Sequence, residues 1–187
     1  MKIIRLTISC ILLLWCGGFF YFLQMTDDIS NDNRTTTDAI VVFGGNKQNL
    51  YSGVQLLKLG YAPLVFITGD KPREEYNNFL KTQQLSQEQF IFDENIARNK
   101  HNHVMDTSMF LKKYKFHSLR LVVNAVQLPR ALRELLANIP PDTVIIPHPI
   151  SSKQKNHLQI FKEYTKYTLV LVASFIGKED ELNLSYS

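Results

Sequence analysis

"LRLVVNAVQLPRALRELLANIP", residues 119–140, is the stretch from which the fold is read. Leu119 to Val123 reads as a short buried strand. Asn124 to Gln127 is a polar turn, and Pro129 stands where a helix begins, in a position where its missing N–H costs nothing. Leu132, Leu135, Leu136 and Ile139 then recur at the 3.6-residue period of a helix that buries one stripe. The unit is therefore strand, tight turn, helix.

The same unit repeats on both sides of it. Ile40–Phe43, Leu64–Thr68, Phe90–Phe92 and Val144–Ile146 are four further short runs rich in β-branched and aromatic residues. Helical patterns separate them. Leu50, Val54 and Leu57 form one stripe, with Gly53 on the same side permitting close packing. Tyr76, Phe79 and Leu80 form a second, and Val104, Met105, Ser108 and Met109 a third. Five short strands alternating with helices imply an α/β domain, a Rossmann-like, doubly wound and mostly parallel five-stranded sheet covered on both faces. A (β/α)8 barrel needs eight strands and about 250 residues, which 187 residues do not supply.

The amino-terminal segment differs in kind. Residues 6–23, LTISCILLLWCGGFFYFL, carry no charge. At about 1.5 Å per residue they are just long enough to cross a hydrocarbon core of about 30 Å. Bulky Phe19, Phe20, Tyr21 and Phe22 stand where a signal peptidase would need small residues, and Cys16 follows Trp15 rather than the small residue of a lipoprotein signal. The reading is an uncleaved anchor over residues 1–25, with the lipid bilayer as its partner through residues 6–23. Lys2 and Arg5 precede the span and Asp27, Asp28 and Asp32 follow it. Positive-inside logic then places the amino terminus in the cytoplasm and the globular part in the periplasm, at a bacterial inner membrane. Residues 26–37, TDDISNDNRTTT, read as a polar linker, residues 38–178 as the α/β domain and residues 179–187 as a frayed tail. The last helix, about His157 to Ile176, contains TLVLVASFI, too short an apolar run for a second span. It is expected to be a core helix, with an interfacial helix against the membrane as the alternative.

Composition excludes some functions. From Met25 onward there are nineteen basic and seventeen acidic residues, far from the concentrated basic stripe of a nucleic-acid-binding protein. Both cysteines, Cys10 and Cys16, lie in the anchor, so the body has no disulfide, thiol nucleophile or thiolate metal site. His101 and His103 form an HxH pair, but positions two apart on a helix do not share a face, and no metal site or cofactor is expected.

In an open α/β sheet, ligands bind outside the carboxyl ends of the strands, where strand order reverses. The expected ligand-binding residues are therefore Gly44, Gly45 and Asn46 after the first strand, Gly69 after the second, Asn99 and Asn102 before the third loop's helix, and Asn124, Gln127 and Arg130 after the fourth. Asp70 is the one candidate acid or base. Several have a plainer reading: Gly44-Gly45 as a turn, Asn99 as a helix N-cap, Asp70 as a cap of the next helix. Arg130 lies at a helix start, where a cation gains nothing from the helix dipole, and its guanidinium suits two-point binding of a phosphate or carboxylate.

Taken in order, "DAIVVFGG", "GVQLLKLGYAPLVFITG", "ARNKHN", "LRLVVNAVQLPRALRELLANIP", "PHPI" and "EYTKY" resemble the YdcF-like family, which includes the SanA- and ElyC-type envelope proteins, and particularly its alphaproteobacterial members. The resemblance covers nearly the whole chain. It implies a Rossmann-like domain, often membrane-tethered, with a pocket for a nucleotide-like or other anionic ligand and a link to envelope maintenance. It supplies no reaction. The chain departs from the family pattern at Asn49, where members carry an Arg, and at Lys100, where they carry a Thr. It departs again at Val123, Val126, Gln127 and Leu128, with Gln127 in the place of a His. Glutamine donates and accepts hydrogen bonds but moves no proton near neutral pH. Two functions follow as expectations: an envelope protein binding an anionic ligand with reduced or absent catalysis, or a non-catalytic scaffold or regulator with a degenerate pocket.

Overall fold

The computed structural model describes residues 2–27, 34–44, 46–69, 73–83, 86–92, 102–151 and 157–184. The chain divides into two compact units, one of residues 30–152 and one of residues 1–29 with 153–187.

The first unit is the α/β domain. Strands β1 (Ala39–Phe43), β2 (Val65–Thr68), β3 (Phe90–Phe92), β4 (Ser118–Asn124) and β5 (Val144–Ile150) form one sheet in the order β3-β2-β1-β4-β5. All four pairings are parallel. Strand order reverses between β1 and β4, so the doubly wound reading holds and its switch point is fixed. Side-chain alternation assigns the faces. Ile40, Val42, Val65, Ile67 and Val122 share a core with Leu50, Val54 and Leu57 of α2 (Lys47–Lys58) and with Tyr76 and Leu80 of α3 (Arg73–Thr82). On the other face Phe66 stacks on Phe110 of α4 (His103–Tyr114), ring centroids 4.2 Å apart, and α4 packs beside α5 (Leu128–Asn138). Gly53 has the role its position suggests: a β-carbon there would lie 2.6 Å from Val42 Cγ2.

Some details depart from the sequence reading. β4 carries Arg120, which is fully buried. Its guanidinium lies 4.6 Å from the centre of the Tyr61 ring and donates to the Thr35 carbonyl, so cation–π contact and a hydrogen bond make the burial tolerable. This bond, with Thr37 N–H donating to Tyr61 O at 2.8 Å, ties residues 35–37 to the domain rather than leaving them as linker. Asp38 Oδ2 accepts from the amides of His117 and Ser118 and from the Ser118 hydroxyl, at 2.8–2.9 Å, pinning the start of β1 to that of β4. β5 continues four residues past Ile146, through Pro147 and Pro149, which an edge strand accommodates. In α4 the buried residues are Val104, Asp106, Thr107, Ser108, Phe110 and Leu111, while Met105 and Met109 are half exposed, so the buried stripe is rotated from the expected one. In α5, Leu135 and Ile139 are buried as expected, and Leu136 points outward.

The second unit pairs α1 (Lys2–Asp27) with α6 (His157–Leu184). α1 is long and apolar enough to cross a membrane, by length and composition. Grouping α6 with α1 differs from its reading as a core helix of a domain ending at residue 178, and the helix extends through Leu184, into the stretch expected to fray. The physical reason is an aromatic clasp. Tyr164 packs against Trp15, Phe19 and Phe22, and Tyr167 against Phe22, with ring centroids 5.2–5.6 Å apart. The Tyr164 hydroxyl donates to the Trp15 carbonyl at 2.7 Å and passes over Gly18, where a β-carbon would come within 2.6 Å of it. Any larger residue at Gly18 would displace that ring.

Candidate functional site

A cleft of about 490 Å³ opens at the switch point between the carboxyl ends of β1 and β4. Phe43 and Gly44 form its β1 side and Val123 its β4 side, while the starts of α4 and α5 supply the polar wall. This is where an open α/β sheet places its ligands.

Gly44 ends β1 with φ +77°, a conformation that excludes most side chains, and its N–H donates to Thr68 O at 2.9 Å. Nothing lies within 4 Å of a β-carbon built there, so the glycine answers to the turn rather than to crowding. Asn46 is the N-cap of α2, its Oδ1 accepting from the amides of Gln48 at 2.7 Å and Asn49 at 3.1 Å. Asn49, the position where the family pattern has an arginine, is buried. Its Nδ2 donates to Phe43 O at 2.8 Å, and its Oδ1 has no hydrogen-bond partner. It fastens the helix start to the strand end instead of projecting a charge.

Asn102 is the N-cap of α4, accepting from the amides of Val104 and Met105, and it also lines the cleft. Asn124 closes the β4–α5 turn by accepting from Val126 N–H at 3.1 Å and is not part of the cleft wall. Gln127 precedes α5 without capping it through its side chain, and that side chain lines the cleft. Gly69 is buried at the end of β2, away from the cleft. Gly45, Asp70, Asn99, Lys100 and His101 lie outside the described residues.

Arg130 lines the cleft as expected, with an added partner. Its Nη1 donates to both carboxylate oxygens of Glu134, at 3.0 and 3.2 Å, and both side chains are about a quarter exposed (25% and 26%). Glu134 lies one turn further along α5 and brings a negative charge to the place where an anion would bind. The cleft also holds His103, whose ring lies 5.4 Å from that of Phe43. The sequence reading weighed His103 only as half of an HxH pair. Helix α4 instead turns it toward the β1 end, supplying an imidazole to the cleft wall. Asn138 completes the polar wall. Among the described residues the cleft offers one cation, one anion, an imidazole and several amides. That set suits orienting a polar ligand, with any anion competing against Glu134 for Arg130.

A smaller cleft of about 310 Å³ lies on the α2 face, between Tyr51, Ser52, Gln55, Leu59 and Tyr61 and the edge-strand residue His148. Burial pushes the His148 imidazole below its ordinary value, and the Arg120 charge pushes it the same way. His148 Nδ1 is sealed from solvent without a hydrogen-bond partner.

The architecture defines a doubly wound α/β protein preceded by a helix long and apolar enough to cross a membrane. Within that class the chain belongs to one family with two rickettsial proteins. It is 33% identical to the uncharacterized protein RC1356 of Rickettsia conorii over 171 residues, covering 90% of this chain and 99% of that protein. It is 31% identical to the uncharacterized protein RP875 of Rickettsia prowazekii over 169 residues, covering 89% and 96%. The aligned stretches are longer than the α/β unit, so the likeness extends into the helical pair. No protein-family model matches the chain, and no solved structure does.

Proposed function

We propose that this chain is a membrane-anchored, YdcF-like envelope protein that binds an anionic, nucleotide-like or phosphorylated small molecule in the switch-point cleft, with reduced or absent catalysis. The observation that carries the reading is Arg130 in the wall of that cleft, at the start of α5, with Gln127 and Asn102 beside it. A guanidinium binds phosphate or carboxylate through two parallel hydrogen bonds, and amide side chains orient the rest of a polar ligand. Gln127 in place of an imidazole leaves the β4–α5 turn without a proton carrier near neutral pH. In this reading α1 lies in the bacterial inner membrane with the amino terminus inside and the α/β domain in the periplasm, because Lys2 and Arg5 precede the span and acidic residues follow it.

The Arg130–Glu134 pair supports a second reading, a non-catalytic envelope scaffold or regulator in which the arginine serves the helix and binds no ligand. Thermal unfolding of the full chain in detergent, with inorganic phosphate, nucleotides and phosphorylated sugars, separates the two. A raised midpoint that Arg130→Ala abolishes is the expected result. A shift that survives Arg130→Ala removes the clamp assignment, and no shift with any ligand favours the scaffold. A phosphatase reporter fused after Ser187 tests topology; activity confined to the cytoplasm would reverse the orientation.

A further inference from the structure

We infer that α6 is a second membrane-contacting element, laying an apolar stripe of its own against the lipid beside α1. The inference rests on the reading that α1 is inserted in the bilayer. Leu158, Phe161, Leu169 and Val172 are exposed apolar side chains on this helix, between 46% and 64% accessible. At about 100° per residue all four fall within a sector of about 80°, a single line down the helix. The clasping residues Tyr164 and Tyr167 occupy an adjacent face, with Tyr164 buried. One face of α6 is therefore used within the helical pair, and the apolar stripe adjoins it at Phe161 with its remaining residues left outward.

Three observations make lipid the occupant. The stripe is continuous with the apolar surface of α1, because Phe161 packs edge-on against Trp15, ring centroids 5.4 Å apart. Phe161 touches Trp15 while remaining half exposed, so the two apolar surfaces meet without a polar break. Polar atoms in and beside the stripe are satisfied within the helix, as a water-poor environment demands. The Thr165 hydroxyl donates to Phe161 O at 3.0 Å and the Thr168 hydroxyl to Tyr164 O at 2.9 Å. Finally, Lys162 and Lys166 border the stripe on one side, and Lys166 is 57% exposed although 3.0 Å from Glu163. Long basic side chains flanking an apolar stripe keep their aliphatic stems against lipid while their ammonium groups extend toward anionic headgroups. The ring contacts of the two helices advance in the same sense, Trp15 with Phe161 and Phe22 with Tyr167. The start of α6 therefore lies beside the distal half of α1.

The test uses the full chain, with Cys10 and Cys16 replaced by serine, in vesicles of phosphatidylethanolamine and phosphatidylglycerol. An environment-sensitive fluorophore is attached in turn through Leu158→Cys, Leu169→Cys, Val172→Cys, Gln159→Cys on another face of α6, and Leu13→Cys on α1. The expected result is blue-shifted emission at positions 158, 169 and 172, with quenching by lipid-borne nitroxide several-fold stronger than at position 159. Lys162→Gln with Lys166→Gln should weaken that quenching in these vesicles but not in phosphatidylcholine. Stripe labels as open to aqueous iodide as position 159 would overturn the inference, as would labels shielded from both quenchers, which would mean that protein covers the stripe. The label at position 13 distinguishes the failures. If it is lipid-quenched while the α6 labels are not, only the second contact is lost; if neither is, the anchoring of α1 falls as well.

Discussion

Gly53 of α2 rests directly on Val42 of β1: a β-carbon added to the glycine would lie 2.6 Å from Val42 Cγ2. Val42 is β-branched and fully buried, so it has no free rotamer into which to retreat. Gly53→Ala would gain about 1 kcal/mol of helix propensity and lose about 1–3 kcal/mol to overpacking. The expected outcome is a net destabilisation of about 1 kcal/mol, with Gly53→Val worse, measured by thermal unfolding of the full chain in detergent. An unchanged or higher midpoint for Gly53→Ala would show that the helix can lift from the sheet without loss.

Glu134 holds Arg130 by both carboxylate oxygens, so it competes with any anion entering the cleft. A partly exposed pair of this kind contributes about 0.5–1 kcal/mol. Glu134→Gln should therefore tighten the binding of inorganic phosphate by about two- to fivefold, read by titration calorimetry. Weaker binding in this variant would mean that the carboxylate positions the guanidinium instead of opposing the ligand.

Asp38 governs behaviour in acid. Burial pushes its carboxyl upward, but the hydrogen bonds from the His117 amide and from the Ser118 hydroxyl and amide outweigh that, and the net value lies below the ordinary one. The bonds are thus fully present above the unfolded value of about 4 and are lost as the pH falls through the lower folded value. Asp38→Asn should cost about 1 kcal/mol at neutral pH and should flatten the stability profile below pH 4, followed by denaturant unfolding. A variant with the parent's acid profile would place the acid sensitivity elsewhere.

His148 acts in the opposite part of the scale. Because burial and the Arg120 charge disfavour its protonated form, the folded protein takes up this proton less readily than the unfolded chain. The residue is indifferent above about pH 6.5 and costs stability as the pH falls below that value toward its lower folded one. His148→Phe should narrow the difference between denaturant midpoints at pH 7.5 and 5.5. A difference as large as the parent's would exonerate the imidazole.

Much of the fold was legible because the β-branched strand cores and the 3.6-residue helix stripes are local signals. Ile40–Phe43 and Phe90–Phe92 fall inside or match observed strands. β5 was cut short because Pro147 and Pro149 oppose a central strand, and only the strand order reveals that β5 is an edge. Arg120 was overlooked because its neutralising contacts, Tyr61 and the Thr35 carbonyl, are remote in sequence. Arg130 and Gln127, read from the turn that carries them, line the cleft, while Asn46 and Asn124 serve local backbone geometry. Glu134 could have been read from its i,i+4 spacing to Arg130, a pairing that helices favour. His103 could not, because only the packing of α4 against the β1 end turns it into the cleft.

The prolines of β5 have one more consequence. Ala125 N–H donates to Ile150 O at 3.0 Å, so the even-numbered residues of this strand direct their backbone groups toward β4, and 147 and 149 direct theirs outward. At both of those positions the outward N–H does not exist. The opposite edge, β3, is only three residues long. Copies of a protein that meet edge to edge can pair such strands. A sheet whose flanks offer so few donors gives those encounters little with which to zip together into a shared β-ribbon.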